Sequence, residues 1–217
     1  TPYYTITPLQ ALQKRLGKKV KITFELGCPS NIFTFALDPE LLSPAPGSKA
    51  RGLIAAYFNN DDFSGKPAAS LVETLFWRRW MSGAPPVPGI KDNFSVRWTG
   101  FFRPPVSGKF KFGLATEGWC RIIIGGKTVV TNWGEKTVFD FMPSAEKTGE
   151  ISLEAGQSYP VKIELRRNPE IPAVARTIRL GCGWPLPPDL PGRAAIAAKN
   201  ADVAIVFTGL TDEYESE

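Results

Sequence analysis

The densest set of reactive groups in this chain is the segment TDEYESE at residues 211–217, which puts Asp212, Glu213, Glu215 and Glu217 into one loop. Carboxylates crowded together oppose one another's ionisation, and a carboxyl group kept protonated in that way can serve as a general acid at neutral pH. The chain has no histidine. That removes Ser/His and Cys/His nucleophile pairs, and every histidine-based zinc site, from the chemistry the chain could supply by itself. Cys28, Cys120 and Cys182 form no CxxC pair, so neither a structural zinc nor a thioredoxin-type redox centre is expected, and no cofactor or metal is called for. An acidic loop is equally the signature of a plain solvated turn. What decides between the two is the element that carries it.

That element is DVAIVFTGL at residues 202–210, a nearly continuous apolar run of the kind expected of a parallel strand buried on both faces. A short alanine-rich helix is predicted just before it, at 194–198. The amino-terminal end repeats the order. Thr7 can cap a helix, Pro8 suits its first position, Gln10 completes a capping box, Leu9, Leu12 and Leu16 share a face, and Gly17 stops it. Val20, Ile22 and Phe24 then alternate with polar residues as in a strand. Two helix–strand units are too few to cover a parallel sheet, so both are expected to belong to a larger α/β domain, the chain being a piece of a longer protein. In open α/β sheets, ligands bind beyond the carboxyl ends of the strands, which is where loop 211–217 falls.

The 217 residues, 43% hydrophobic, suffice for one substantial core and a smaller structure. Twenty glycines and 20 prolines favour many short strands. Such strands are predicted in GLIAAYF, FSVRWTGFF, GKFKFGLA, RIIIGGKTVV, EISLEAG, YPVKIELRR and RTIRLGCG, between about Lys49 and Gly183. Phe110, Phe112 and Leu114 alternate with other residues, as do Val161, Ile163 and Leu165, so each strand has an inward face. Gly125 with Gly126 suits a tight hairpin, and 155–157 a second one. The proline-rich SPAPGS and WPLPPDLPG bracket this zone as linkers of an inserted unit. The formal charge of +5 is dispersed without a basic arm or motif, so no nucleic-acid partner is expected. No apolar run approaches the ~20 residues of a membrane span, and no membrane partner is expected either.

GLIAAYFNNDDFSGKP, the RWTG strand, SGKFKFGL, the IIIGGK hairpin and LEAGQSYPVKIEL together resemble the protective-antigen ("PA fourteen") domain. The flanks TPLQALQKRLGKKVKITFELGC and ADVAIVFTGLTDEYESE resemble the second domain of family-three glycoside hydrolases. The resemblance implies a mainly β chain: an antiparallel β-sandwich at 49–183, inserted between α/β flanks at 1–48 and 184–217. It implies a retaining β-glucosidase as parent, which removes terminal β-glucosyl residues with a carboxylate nucleophile and a second carboxyl group about 5 Å away acting as acid and then base. The acid/base falls at Glu215, with Glu217 its rival. The nucleophile is expected on a separate barrel domain, so this piece should be inactive alone. Secretion and a possible homo-oligomer complete the expectation.

In sugar-binding adhesins of this family an adjacent aspartate pair precedes the hairpin and holds calcium. Here Thr116 and Glu117 stand there, which removes most of the charge that calcium requires. Asp61 and Asp62 are adjacent but read as a turn. Flat rings in loops can stack on a pyranose; Trp77, Trp80, Trp119, Trp133, Phe139 and Phe141 are the candidates, whereas Trp98 reads as core. Trp119, Trp133, Phe139 and Phe141 are expected to meet a β-glucoside or gluco-oligosaccharide, Phe139 and Phe141 walling the entrance. A stand-alone carbohydrate-binding module is the alternative. A disulfide between Cys28 and Cys182 is conceivable at the neck of the insert.

Overall fold

The computed structural model describes residues 6–28, 34–80, 85–135, 146–168 and 176–209, without the side chains of 79, 80, 176 and 177. They divide into two compact units, Ile32–Pro185 and the two flanks Thr1–Asn31 with Leu186–Glu217. In chain order the elements are helix α1 (Pro8–Leu16); strands β1 (Leu42–Ser43), β2 (Leu53–Phe58), β3 (Ala69–Glu73), β4 (Trp77–Trp80), β5 (Ser95–Phe102), β6 (Gly108–Thr116), β7 (Trp119–Ile124), β8 (Lys127–Thr131), β9 (Lys147–Leu153), β10 (Tyr159–Arg166) and β11 (Arg176–Gly183); and helix α2 (Leu190–Lys199).

All strand pairs are antiparallel, in two sheets. One has seven strands in the order β3-β2-β5-β10-β7-β8, with β1 also on β5, and the other has four in the order β4-β11-β6-β9. Each predicted alternation sets an inward face. Val96, Trp98 and Phe102 of β5, Val161, Ile163 and Leu165 of β10, and Phe110, Phe112 and Leu114 of β6 are all buried in one core. Phe102 joins the sheets, its ring edge-on to Phe110 at 5.8 Å and to Phe112 at 5.4 Å. Such pairs add about 0.5–1.5 kcal/mol to the burial of the rings themselves.

One carboxylate is accommodated inside. Glu73 is 2% exposed and accepts hydrogen bonds from the Tyr57 hydroxyl at 2.9 Å and the Trp98 indole N–H at 2.7 Å, with the Arg78 guanidinium 3.2 Å away. Trp98 is thus core, with its one polar atom satisfied. Burial, reinforced by the negative charge of Glu73, pushes the Tyr57 hydroxyl well above the ordinary tyrosine value.

Several expectations need correction. Trp77 and Trp80 lie in strand β4, not in a loop, and β3 and β4 were not anticipated as strands. Gly125 and Gly126, with φ of 57° and 82°, make the expected hairpin between β7 and β8. Residues 155–157 do not make a second one, because β9 and β10 belong to different sheets and the turn is an arch between them. The sandwich takes in chain before Lys49: Leu37 and Leu42 are buried in its core. Residues 35–37 run beside β11, with the Leu37 N–H donating to Leu180 at 3.0 Å and the Cys182 N–H to Phe35 at 2.8 Å.

In the flank unit, α1 forms as predicted, with the Thr7 hydroxyl accepting from the Gln10 N–H and the Gln10 side chain accepting from the Thr7 N–H. Helix α2 is longer than expected because Asp189 caps it and Pro191 fits its first turn. Arg193 of α2 pairs with Glu25 of the other flank at 3.2 Å. The predicted strands at 20–24 and 202–209 are not in any ladder among the described residues. Their apolar side chains lie open, Phe24 at 65% and Val206 at 76% exposure. An extended segment becomes a strand only when a neighbour takes up its N–H and C=O groups.

All three cysteines are free, which removes the Cys28–Cys182 disulfide. Cys182 is buried among core residues, and burial pushes its thiol up to about 12.

Candidate functional site

The outward face of the seven-stranded sheet carries an assembly that unites two of the predicted site residues, Trp119 and Trp133, with charged partners. Its rows follow from strand register. Glu164 of β10 sits directly between Arg97 of β5 and Arg121 of β7; in the next row Arg166 of β10 lies opposite Trp119 of β7 and Ser95 of β5. Directly opposed strand residues have Cβ atoms about 5 Å apart, so these side chains must interact.

The Glu164 carboxylate is 1% exposed. Oε1 accepts from Arg97 Nε at 2.8 Å and Oε2 from Arg121 Nε at 2.6 Å. Burial alone would raise its pKa, but the hydrogen bonds from Arg97 and Arg121 and the charge of Arg121 outweigh it and hold the group below the usual glutamate range.

Rings lie on the guanidinium groups. The Arg121 guanidinium is 4.5 Å from the centre of Trp133, and that of Arg166 is 4.6 Å from Trp119 and 4.9 Å from Trp133. Arg97 lies 4.8 Å from Phe63, whose ring stacks beside Trp133 at 6.2 Å. Phe63 holds a left-handed backbone, φ 60°, unusual for a bulky residue. Trp133 is held by its neighbours in sequence. Buried Asn132 donates to the Gly118 carbonyl at 2.9 Å and accepts from the Cys120 N–H at 2.6 Å, and the Trp133 N–H donates to the Thr131 hydroxyl at 3.0 Å.

Trp119 and Trp133 are therefore brought together, through Arg166. Arginine guanidinium groups lie against both rings, that of Arg166 on Trp119 and those of Arg121 and Arg166 on Trp133. Trp77 is half-exposed on β4, near the Arg179 guanidinium. Phe139, Phe141, Glu215 and Glu217 lie outside the described residues. Thr116 and Glu117 are buried, the Thr116 hydroxyl accepting from the Gly118 N–H. Asp62 caps its own turn, and hydrogen bonds from the Ser64 hydroxyl and from the Ser64 N–H at 3.0 Å hold its carboxyl below the usual aspartate value. Among the described residues no group of three or more acidic or cysteine side chains could hold a metal ion, and no helix is long and apolar enough to cross a membrane.

Arg97, Arg121, Glu164, Arg166 and Phe63 were not singled out from the sequence. The alternation of Lys162, Glu164 and Arg166 put them on one face, but the residues across from them depend on strand order.

The profile of the PA14 domain matches residues 49–181. A protein named probable beta-glucosidase K, from Emericella nidulans, is 28% identical over 232 residues, which cover 100% of this chain and 27% of that protein. Probable beta-glucosidase I of Aspergillus niger is 32% identical over 123 residues, 51% of this chain and 15% of its own length. Among solved structures, the beta-glucosidase from Kluyveromyces marxianus in complex with glucose superimposes with a TM-score of 0.72 at 20% identity, covering 91% of this chain and 24% of that one. That last likeness is one of fold. The chain spans little more than a quarter of the first of these relatives. With the profile spanning more than half of the residues and two antiparallel sheets beneath it, the chain belongs to the PA14 domain family.

Proposed function

We propose that this chain is a section of a secreted β-glucosidase of the family-three type, in which the sandwich at 32–185 is an insert that narrows the substrate entrance, and the flanks 1–31 and 186–217 belong to one α/β domain. The observation that carries the reading is the alignment of the whole chain, flanks included, with a protein named a probable beta-glucosidase. Two structural features support it. The incoming residues 35–37 pair with the outgoing strand β11, as the two ends of an inserted unit must. The open apolar segments at 20–24 and 202–209 suit strands whose neighbours belong to the rest of an α/β sheet.

In this reading Glu215 or Glu217 protonates the departing glycosidic oxygen and then activates water, while an aspartate on the barrel domain forms the glycosyl-enzyme intermediate, with net retention. Phe139 and Phe141 wall the entrance against long gluco-oligosaccharides. The partners are the β-glucoside substrate, the barrel domain and, in a homo-oligomer, a second copy.

Glu215→Gln and Glu217→Gln in the parent protein test the assignment. Loss of the acid should slow cellobiose hydrolysis by about 10²–10⁴-fold, while an aryl glucoside whose phenol needs no proton is still cleaved to the covalent intermediate in a burst. If neither variant separates the two substrates, the acid/base lies elsewhere.

A further inference from the structure

We propose that Glu146 and Trp119 are positioning residues for substrate length: they fix the two ends of segment 136–145, which carries Phe139 and Phe141, and through it the place of those rings at the entrance. The inference rests on the β-glucosidase reading and deepens it, since it names the residues through which the insert acts. Residues 136–145 lie outside the described residues, but the points from which they leave and to which they return are described.

The point of return is Glu146. Its Oε2 accepts from the Thr34 N–H at 2.8 Å and its Oε1 from the Thr34 hydroxyl at 2.6 Å. The side chain is 6% exposed, with the Arg179 guanidinium 3.8 Å away. A notch in the four-stranded sheet receives the pair. Gly113 of β6 and Gly181 of β11 lie directly opposite each other. A Cβ on Gly181 would fall 1.8 Å from the Thr34 hydroxyl, and one on Gly113 would fall 2.1 Å from Glu146 Oε1. Any side chain at either position would displace the contact.

The point of departure is Glu135. The Trp119 indole N–H donates to its carbonyl at 3.0 Å, and the Glu135 N–H donates to the Asn132 carbonyl at 3.1 Å. The Trp119 ring is itself steadied by the Arg166 guanidinium, 4.6 Å from its centre. A salt bridge between the Glu135 carboxylate and Lys147 then joins departure and return directly. That pair is half-exposed and adds little by itself. Together with the bonds at Trp119 and Thr34, it makes the segment begin and end at fixed points, which restricts the conformations open to the chain between them.

The chemistry of the Glu146 contact suits placement better than bulk stability. Burying a carboxylate loses hydration that an apolar side chain would not lose, and glycines inside β6 and β11 weaken those strands. What the carboxylate adds is direction: two oxygens aimed at two donors of one residue fix the backbone at 146 more closely than packing alone. A shift of about 1 Å in a supporting chain is enough to change how a substrate is held. Trp119 accordingly acts on substrate through the segment it holds, and not by stacking on a sugar.

Steady-state kinetics of the parent enzyme on an aryl glucoside and on cello-oligosaccharides of rising length test this in three variants. Glu146→Ala removes both bonds to Thr34. Trp119→Phe removes the indole N–H but keeps a ring against Arg166, so it provides a folded variant if Glu146→Ala is lost. Glu146→Gln keeps an acceptor for the Thr34 N–H and a donor for its hydroxyl. In Glu146→Ala and Trp119→Phe, kcat/KM on the longer chains relative to the aryl glucoside should rise about three- to tenfold, the scale of one hydrogen bond, with the change in KM; Glu146→Gln should keep the wild-type ratio. A lowered melting temperature with an unchanged ratio would show a structural role only and overturn the inference. If removing residues 32–185 alters the chain-length profile while Glu146→Ala and Trp119→Phe do not, the positioning role falls and the insert's role stands; if none of the three alters it, both fall.

Discussion

Glu164 is ionised in a place that, without its two arginines, would neutralise it. Desolvation works against the charge, and the hydrogen bonds from Arg97 and Arg121 restore it with a surplus, so its folded pKa lies below the ordinary value near 4.3. A depressed carboxyl pKa stabilises the fold fully above the unfolded value, and that contribution disappears as pH falls through the folded one. Glu164→Gln should therefore cost about 1–3 kcal/mol at pH 7, with the gap to the wild type closing in thermal melts taken below about pH 4. Parallel curves down to pH 3 would show that the carboxylate contributes nothing. Tyr57 offers a companion case: Tyr57→Phe removes a donor from the buried Glu73 and should lower stability by about 1–2 kcal/mol in denaturant unfolding. At this scale the sequence told only part. Trp98 is legible as core because it sits at an inward position of an alternating strand, and Trp119 and Trp133 are legible as aromatics near a turn. That Arg166 would lie between them is not, since it depends on β10 pairing with β7 across a long gap in sequence.

Strands with clean alternation could be read directly, and β2, β5, β6, β7, β8, β9, β10 and β11 stand where the periodicity put them. The misses have a common cause. Strands β3 and β4 are edges, paired on one side only, so neither needs a fully apolar face. The arch at 155–157 has the composition of a hairpin turn, and only sheet membership distinguishes the two. The flank segments at 20–24 and 202–209 have strand-like sequences without a partner to pair with among the described residues. A bulge also escaped notice: Ile122 pairs with Val130 and Ile123 with Thr128, leaving Val129 out of register. Its carbonyl occupies the space that a side chain on Gly149 of β9 would need. Gly149→Ala should accordingly destabilise the sandwich by about 1–3 kcal/mol, measured by chemical denaturation; a neutral result would mean that β8 and β9 are less closely packed than described.

Considered whole, the molecule joins a self-sufficient sandwich to flanks of a different character. The core of Ile32–Pro185 is continuous, and the segment 35–37 closes onto β11, so residues 32–185 produced alone should unfold in a single cooperative transition. Amide exchange in the full chain should find the sandwich strands protected and the segments 20–24 and 202–209 open. The fold at this scale was legible in the strand pattern, and the activity proposed for the parent rests on the resemblance of the short flanks. The catalytic expectation at Glu215 and Glu217 rests on the latter. The central claim is that the sandwich is a specificity-setting insert in a β-glucosidase. Its most direct test is kcat/KM of the parent enzyme on cello-oligosaccharides of rising length, with residues 32–185 intact or replaced by a short linker. Relief of the penalty on longer chains, with aryl-glucoside hydrolysis retained, is the predicted outcome; an unchanged chain-length profile in an active, folded deletion variant would contradict it.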